Sequence, residues 1–211
     1  MKTSINILNY NSYEESKRCI ESCLKQNGVD FCVLLIDNCS TDDSFIKLKN
    51  EYTGKIDFFQ TGANYGYAGG NNIGISYCFN NGCKYTLILN SDITLVGSGL
   101  LKNMIEIMKN QKDCAVVAPL IFNVTSKGDV LNQNDSTYLK VLRKAKILPP
   151  NYKLSDTLET ISEAQGSALL VDNEVFLGVG GFPEHYFMYG EESCFAKKII
   201  FNSKKNIMDE R

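Results

Sequence analysis

The chain has 211 residues and 44% hydrophobic content, which suits one domain with a substantial core, with or without a small appendage. Its 22 basic and 24 acidic residues nearly cancel, and a formal net charge of -2 offers no basic field of the kind that holds nucleic acid by its phosphates. No apolar run approaches the roughly 18 residues of a membrane span.

The longest near-continuous apolar stretch, Cys114 to Phe122, is interrupted by Pro119, and Asn6, Asn9, Asn11 and Glu14 break any signal-peptide pattern. These features predict a soluble, cytoplasmic protein. Of the eight cysteines none forms C-x-x-C, and His185 is the single histidine, so the usual zinc ligand sets are poorly matched. The cysteines sit mostly in apolar segments and read as reduced core thiols.

In chain order, Thr3 to Leu8 reads as a short strand. Ser12 to Gln26 reads as a helix opened by a capping box, Ser12-Tyr13-Glu14-Glu15, with Cys19, Ile20, Cys23 and Leu24 on its buried face. Phe31 to Ile36 is too uniformly apolar for a one-sided strand and belongs inside a sheet covered on both faces. Asp42 to Tyr52 reads as a helix with Phe45, Ile46 and Leu48 inward, Ile56 to Gln60 as a strand, Asn71 to Asn81 as a helix and Tyr85 to Leu89 as a strand. This alternation predicts right-handed crossovers and a mainly parallel α/β sheet.

Further on, a helix near Leu100 to Lys109 and a strand near Cys114 to Leu120 precede a polar stretch, Asn123 to Glu163, that carries Pro149-Pro150. A long irregular segment of this kind is expected to border a substrate. Ala164 to Val171 reads as a strand and Glu191 to Ile200 as a last helix. No clean linker appears, so a single domain is expected, with residues 1–95 as its regular half and 96–211 as a more variable second half.

Two apolar strands run into aspartates at their carboxyl ends: Phe31 to Ile36 into Asp37, and Tyr85 to Leu89 into Asn90-Ser91-Asp92. In an open parallel sheet these ends lie side by side where ligands bind. Asp37 suits a nucleobase imide or a ribose hydroxyl, while Asp92 alone would give magnesium or manganese one carboxylate, with phosphate oxygens completing the shell. Helix capping and a turn aspartate are the bland alternatives.

Gly62 to Gly74 reads as a glycine-rich loop feeding a helix, with Asn71 or Asn72 at the helix start, suited to close backbone approach to a nucleotide. It lacks the Lys-Ser or Lys-Thr ending of a P-loop and the G-x-G-x-x-G spacing of a dinucleotide enzyme. Phe182 to Glu192 places aromatics before paired carboxylates. In a sugar-binding cleft one of these carboxylates would remove a hydroxyl proton; outside one they are a packed loop and a favourable helix dipole.

These features in this order resemble the family 2 inverting nucleotide-sugar glycosyltransferases with the GT-A fold. Ile5 to Asn11 is similar to the family's first-strand motif and Leu35 to Asp42 to its base-binding loop. Asn64 to Asn72 is similar to the glycine-rich segment of the rhamnosyltransferase-like branch.

The resemblance implies that Tyr10, Asn11 and Asp37 contact the nucleoside, and that Asn64, Gly66, Gly70 and Asn71 lie along the ribose or donor sugar. Asn90-Ser91-Asp92 takes the place of the D-x-D-like motif, with Asp92 as metal ligand for a divalent Mn or Mg ion. Gly166 and Ser167 floor the acceptor site, with Phe182 and Tyr189 bordering it. Gly180-Gly181-Phe182 and Glu191-Glu192 match the last motifs and make Glu192 the base, with Glu191 as orienting neighbour or substitute.

The implied donor is a UDP- or dTDP-sugar, and the implied acceptor a saccharide or lipid-linked saccharide in surface polysaccharide assembly. The chain stops at Arg211, before the later strand and histidine of longer relatives, and Cys194 departs from the family pattern. These departures motivate the alternative of a nucleotide-sugar-binding module that is catalytically impaired or dependent on a partner. A nucleotidyltransferase would need a basic triphosphate loop that is absent. Lys197, Lys198, Lys204 and Lys205 near Phe201 read as a solvated helix face or as a peripheral contact with the inner membrane surface.

Overall fold

The computed structural model of the protein describes residues 2–121, 158–161, 165–186, 190–202 and 205–209. Most of the polar stretch from Asn123 to Glu163 falls outside these residues, as does Tyr189. Strands β1 (Lys2–Asn9), β2 (Phe31–Asp37), β3 (Asp57–Gln60) and β4 (Cys83–Asn90) alternate with helices α1 (Tyr13–Cys23), α2 (Ser44–Tyr52) and α3 (Gly66–Asn80). There follow α4 (Leu100–Asn110), β5 (Cys114–Pro119), β6 (Leu158–Ile161), β7 (Ala168–Asp172), α5 (Asn173–Gly178), α6 (Glu191–Phe201) and β8 (Lys205–Asp209).

All eight strands join one sheet in the order β3-β2-β1-β4-β7-β5-β8-β6. β1 is parallel to both β2 and β4, and β2 to β3. β7 runs antiparallel between β4 and β5, and β6 antiparallel to β8, so the sheet is mixed but mainly parallel. The strand–helix alternation of the first half predicts the parallel pairing of β1 to β4, and the central strands are covered on both faces. Val33 and Leu35 of β2 join Ile5, Ile7, Leu87 and Leu89 in the core beneath α1, α2 and α4. Leu34 and Ile36 face the other way, toward Cys78 of α3.

Three local readings change. Ser12 does not cap α1: its hydroxyl donates to Glu15 Oε2 at 3.0 Å and accepts no helical N–H. Leu24 and Ile46 are exposed instead of inward. The buried stripe of α2 is Ser44, Leu48 and Tyr52, which leaves Ile46 on the outer side.

The glycine-rich segment is also helical from Gly66, so Asn71 and Asn72 lie inside α3 and not at its start. Its glycines serve close packing. A Cβ on Gly70 would come within 2.6 Å of Leu8 Cδ1, and one on Gly74 within 3.1 Å of Ile36 Cγ1 and 3.0 Å of Asn6 Nδ2. The helix therefore rests so close to the sheet that any larger residue at these positions would force Leu8 or Ile36 to shift.

The periodicity also misses α5, β8 and β6, the last a strand inside the stretch that reads as irregular. α5 is nucleated by Asp172, whose side chain accepts from the N–H groups of Glu174 and Val175, and β8 pairs with β5. The eight cysteines form no disulfides; Cys19, Cys23, Cys78 and Cys83 are buried in the core, and Cys32, Cys39, Cys114 and Cys194 are only partly covered. Burial pushes the Cys32 thiol up to about 11 and raises those of Cys78 and Cys83 as well, which keeps them protonated. Among the described residues no helix is long and apolar enough to cross a membrane. Phe201 is 90% exposed at the end of α6, one turn from exposed Lys197.

Replacing Gly74 by alanine sets a helix-propensity gain of about 1 kcal/mol against overpacking of about 1–3 kcal/mol. Because Ile36 and Asn6 are buried in the sheet, overpacking should win. Urea denaturation should show Gly74→Ala to be less stable by about 1–2 kcal/mol; a more stable variant would contradict the packing described.

Candidate active site

Register brings the carboxyl ends of the central strands together. Asn9 of β1 pairs with Asp37 of β2, and Leu8 of β1 with Asn90 of β4. β7 enters the same edge from the other direction, and the Asn90 N–H donates to the Ser167 carbonyl at 3.0 Å. The first turn of α6 reaches this edge as well. The result is a cavity of about 360 Å³ lined by Leu8, Tyr10, Asn38, Asn64, Gly66, Tyr67, Asn90, Ser91, Gly166, Glu191 and Glu192.

Asp37 is fully buried and supports the rim from behind. Its Oδ1 accepts from Asn9 Nδ2 at 2.8 Å and from the Ser40 hydroxyl, and its Oδ2 from the Ser40 N–H and Gln60 Nε2. Asn11, in the left-handed region at φ 51°, is engaged similarly: its Oδ1 accepts from the Thr41 N–H at 2.8 Å. Neither side chain lines the cavity. Tyr10 between them does, and it is 44% exposed, which leaves an aromatic face open to a ligand.

Asn38 organises the next wall. Its Nδ2 donates to Asn64 Oδ1 and to the Gly66 carbonyl, both at 3.0 Å, while its Oδ1 accepts from the Tyr65 N–H and the Thr61 hydroxyl. Asn64 Oδ1 also accepts from the Gly66 N–H, which starts α3. Gly66 and Asn64 thus line the cavity, whereas Gly70 and Asn71 lie buried within α3 and do not. Asn71 Nδ2 donates to the Tyr67 carbonyl.

Asn90 and Ser91 line the cavity, and Asp92 stands exposed on the turn beside them. Among the described residues no group of three His, Cys, Asp or Glu side chains is placed to hold a metal ion, and no salt bridge reaches Asp92. A single open carboxylate of this kind fits a hard cation that takes most of its ligands from water or a bound anion.

Glu191 is 2% exposed and Glu192 half-buried at the start of α6, and both face the cavity. The Glu192 side chain runs directly over Gly166, where a Cβ would come within 2.5 Å of its Cγ. Phe182 is fully buried behind the site, and Asn72 pins it there: Oδ1 accepts its N–H at 3.0 Å while Nδ2 donates to its carbonyl at 2.9 Å. Phe182 and Ser167 accordingly flank the site without lining it, and Tyr189 lies outside the described residues.

Sequence reasoning did not single out Leu8, Asn38 or Tyr67 as site residues. Asn38 directly follows Asp37, so an amide closing the β2 loop was the available signal; Tyr67, inside a glycine-rich run, offered none beyond its size.

The sequence profile described as Glycosyl transferase family 2 matches residues 4–169. The chain belongs to this family. It is 27% identical over 194 residues to the low-salt glycan biosynthesis hexosyltransferase Agl10 of Haloferax volcanii, a match covering 92% of this chain and 60% of that protein. The chain thus spans somewhat under two thirds of that relative.

Among solved structures, residues 1–349 of S. aureus TarS in complex with UDP-GlcNAc align with a TM-score of 0.68 at 18% identity, covering 99% of this chain and 55% of that one. The mannosyltransferase PcManGT from Pyrobaculum calidifontis, in complex with GDP-Man and Mn2+, aligns with a TM-score of 0.69 at 16% identity, covering 97% of this chain and 53% of that one. The fold is that of GT-A glycosyltransferases.

Asn38→Ala deletes four hydrogen bonds made by one buried side chain, among them the one that holds the Tyr65 N–H. Stability should fall by about 2–3 kcal/mol, and amide exchange at Tyr65 and Gly66 should accelerate more than in the strands. Uniform exchange rates across the chain would contradict the role given to Asn38.

Proposed function

We propose that this chain is the donor- and acceptor-binding core of an inverting glycosyltransferase that moves a hexose or deoxyhexose from a nucleoside diphosphate to an acceptor hydroxyl. One observation carries the reading: a single cavity at the carboxyl ends of β1 and β4 also receives two carboxylates from a helix about 100 residues further on. Family membership supplies the reaction class.

Tyr10 and the rim held by Asp37 and Asn11 would receive the nucleoside, while Asn64 and Gly66 would lie along the ribose or sugar. Gly166 and Ser167 would floor the acceptor. Glu192, half-buried and cavity-facing, would accept the acceptor's hydroxyl proton as its oxygen attacks the anomeric carbon from the face opposite the diphosphate, and Glu191 would orient it. Asp92 and Asn90 would hold a divalent ion, which when bound supplies countercharge to the departing diphosphate. The relatives differ in donor, with UDP-GlcNAc on TarS and GDP-Man on PcManGT, and UDP- or dTDP-sugars are the first donors to test here.

Thermal shift against UDP-, dTDP- and GDP-hexoses, with and without Mn2+, should identify the donor; saturation at a hundredfold above Kd stabilises by about 2.7 kcal/mol. With that donor, Glu192→Gln should lose about 10²–10⁴-fold in kcat while binding the nucleotide normally, and Asp92→Ala should lose the Mn2+-dependent part of the shift. Full turnover in Glu192→Gln would remove the base assignment, and donor binding without turnover in the parent chain would favour a binding module.

A further inference from the structure

The side chain assigned as base is not held by its own helix alone. Tyr67, in the first turn of α3, donates its phenol to the Gly166 carbonyl at 2.5 Å, a contact between groups 99 positions apart. Gly166 is the residue over which Glu192 lies: a Cβ there would stand 2.8 Å from Cδ of the Glu192 carboxyl as well as crowding its Cγ. The phenol therefore fixes the backbone against which the carboxylate rests.

The ring of Tyr67 is braced independently. It packs on Phe182 with centroids 5.3 Å apart, and Phe182 packs in turn on Phe195, 5.1 Å away and on the same helix as Glu192. Tyr67 is thus joined to Glu192 by a polar route through Gly166 and an apolar route through Phe182 and Phe195.

We propose that Tyr67 is a positioning residue for Glu192, acting through the Gly166 carbonyl, so that glycine at 166 and tyrosine at 67 form one device with the base. Burial raises the Tyr67 phenol well above its usual range, and the charges of Glu192 and Glu191 raise it further, so the hydroxyl stays a donor at every working pH. The inference rests on the glycosyl-transfer reading for its kinetic consequence but not for its geometric one.

Tyr67→Phe keeps the ring packing and removes the hydroxyl. Its crystal structure should show the Glu192 side chain displaced from its place over Gly166; an unmoved Glu192 would overturn the proposal whatever the protein catalyses. With the donor found by thermal shift, kcat should fall about tenfold to a hundredfold, the upper figure being the cost of a misplacement of about 1 Å, with donor KM changed less than twofold. In a Glu192→Asp background the same substitution should cost less than twofold, because the two changes act on one element.

Equal losses in both backgrounds, or a loss confined to KM, would overturn the positioning role. If Tyr67→Phe does not fold, Gly166→Ala provides the second variant: it leaves the phenol in place and should lower kcat by displacing Glu192, and unchanged kcat would overturn the proposal. Absence of turnover in the parent chain would count against the transferase reading, and the crystallographic arm would still decide the geometry.

Discussion

A buried amide and a buried carboxylate meet at the ends of two neighbouring strands, and the cavity depends on that meeting. Asn9 Nδ2 donates to Asp37 Oδ1, and Asn9 Oδ1 accepts from the Ser16 hydroxyl of α1. Its Nδ2 also reaches the Ser44 hydroxyl at the start of α2. One side chain therefore ties two strands and two helices at the edge where β4 and β7 arrive. A carboxylate removed from water is costly unless its oxygens are satisfied, and Asp37 meets that condition with four donors from three residues. Its fixed position then sets where Tyr10 and the loop after β2 can stand.

The second half of the site is built on absent side-chain atoms. Glycines at 70 and 74 let α3 lie against β1 and β2, and so bring Tyr67 and Asn72 to the sheet edge. There Asn72 holds the chain at Phe182, where Gly181 adopts a φ of 61° and has no room for a Cβ beside Asn72. Phe182 closes the aromatic group with Phe176 and Phe195. The carboxylates of α6 are thereby coupled to the β1–β4 half by packing instead of by a continuous strand.

Much of this was legible in the residues. The uniform apolarity of Phe31 to Ile36 indicated a strand covered twice, and the aspartates after two such strands pointed to the sheet edge where the cavity lies. What was not legible was which of these residues line the cavity. Tyr10, Asn64 and Gly66 do, while Asp37, Asn11, Gly70 and Asn71 do not: Asp37 and Asn11 bond to groups 23 to 30 positions away, which leave no local trace, and Gly70 and Asn71 lie inside α3. The helical start at Gly66 was hidden for a related reason: glycine's low helix propensity suggests a loop, and tertiary packing overrides it.

β1 lies in the interior of the sheet, yet its partners come from distant parts of the chain. The Asn9–Asp37 contact closes 28 positions, and the hydroxyl pair Ser4–Thr86 closes 82. Parallel pairings over such separations form slowly, since the loop must lose its freedom before the contact rewards it. Until β4 is in place, Ile5 and Ile7, fully buried at the end, have only part of their cover. A central strand that waits for a neighbour from far along the chain keeps apolar surface open to other molecules while it waits, which is the general cost of long-range parallel pairing.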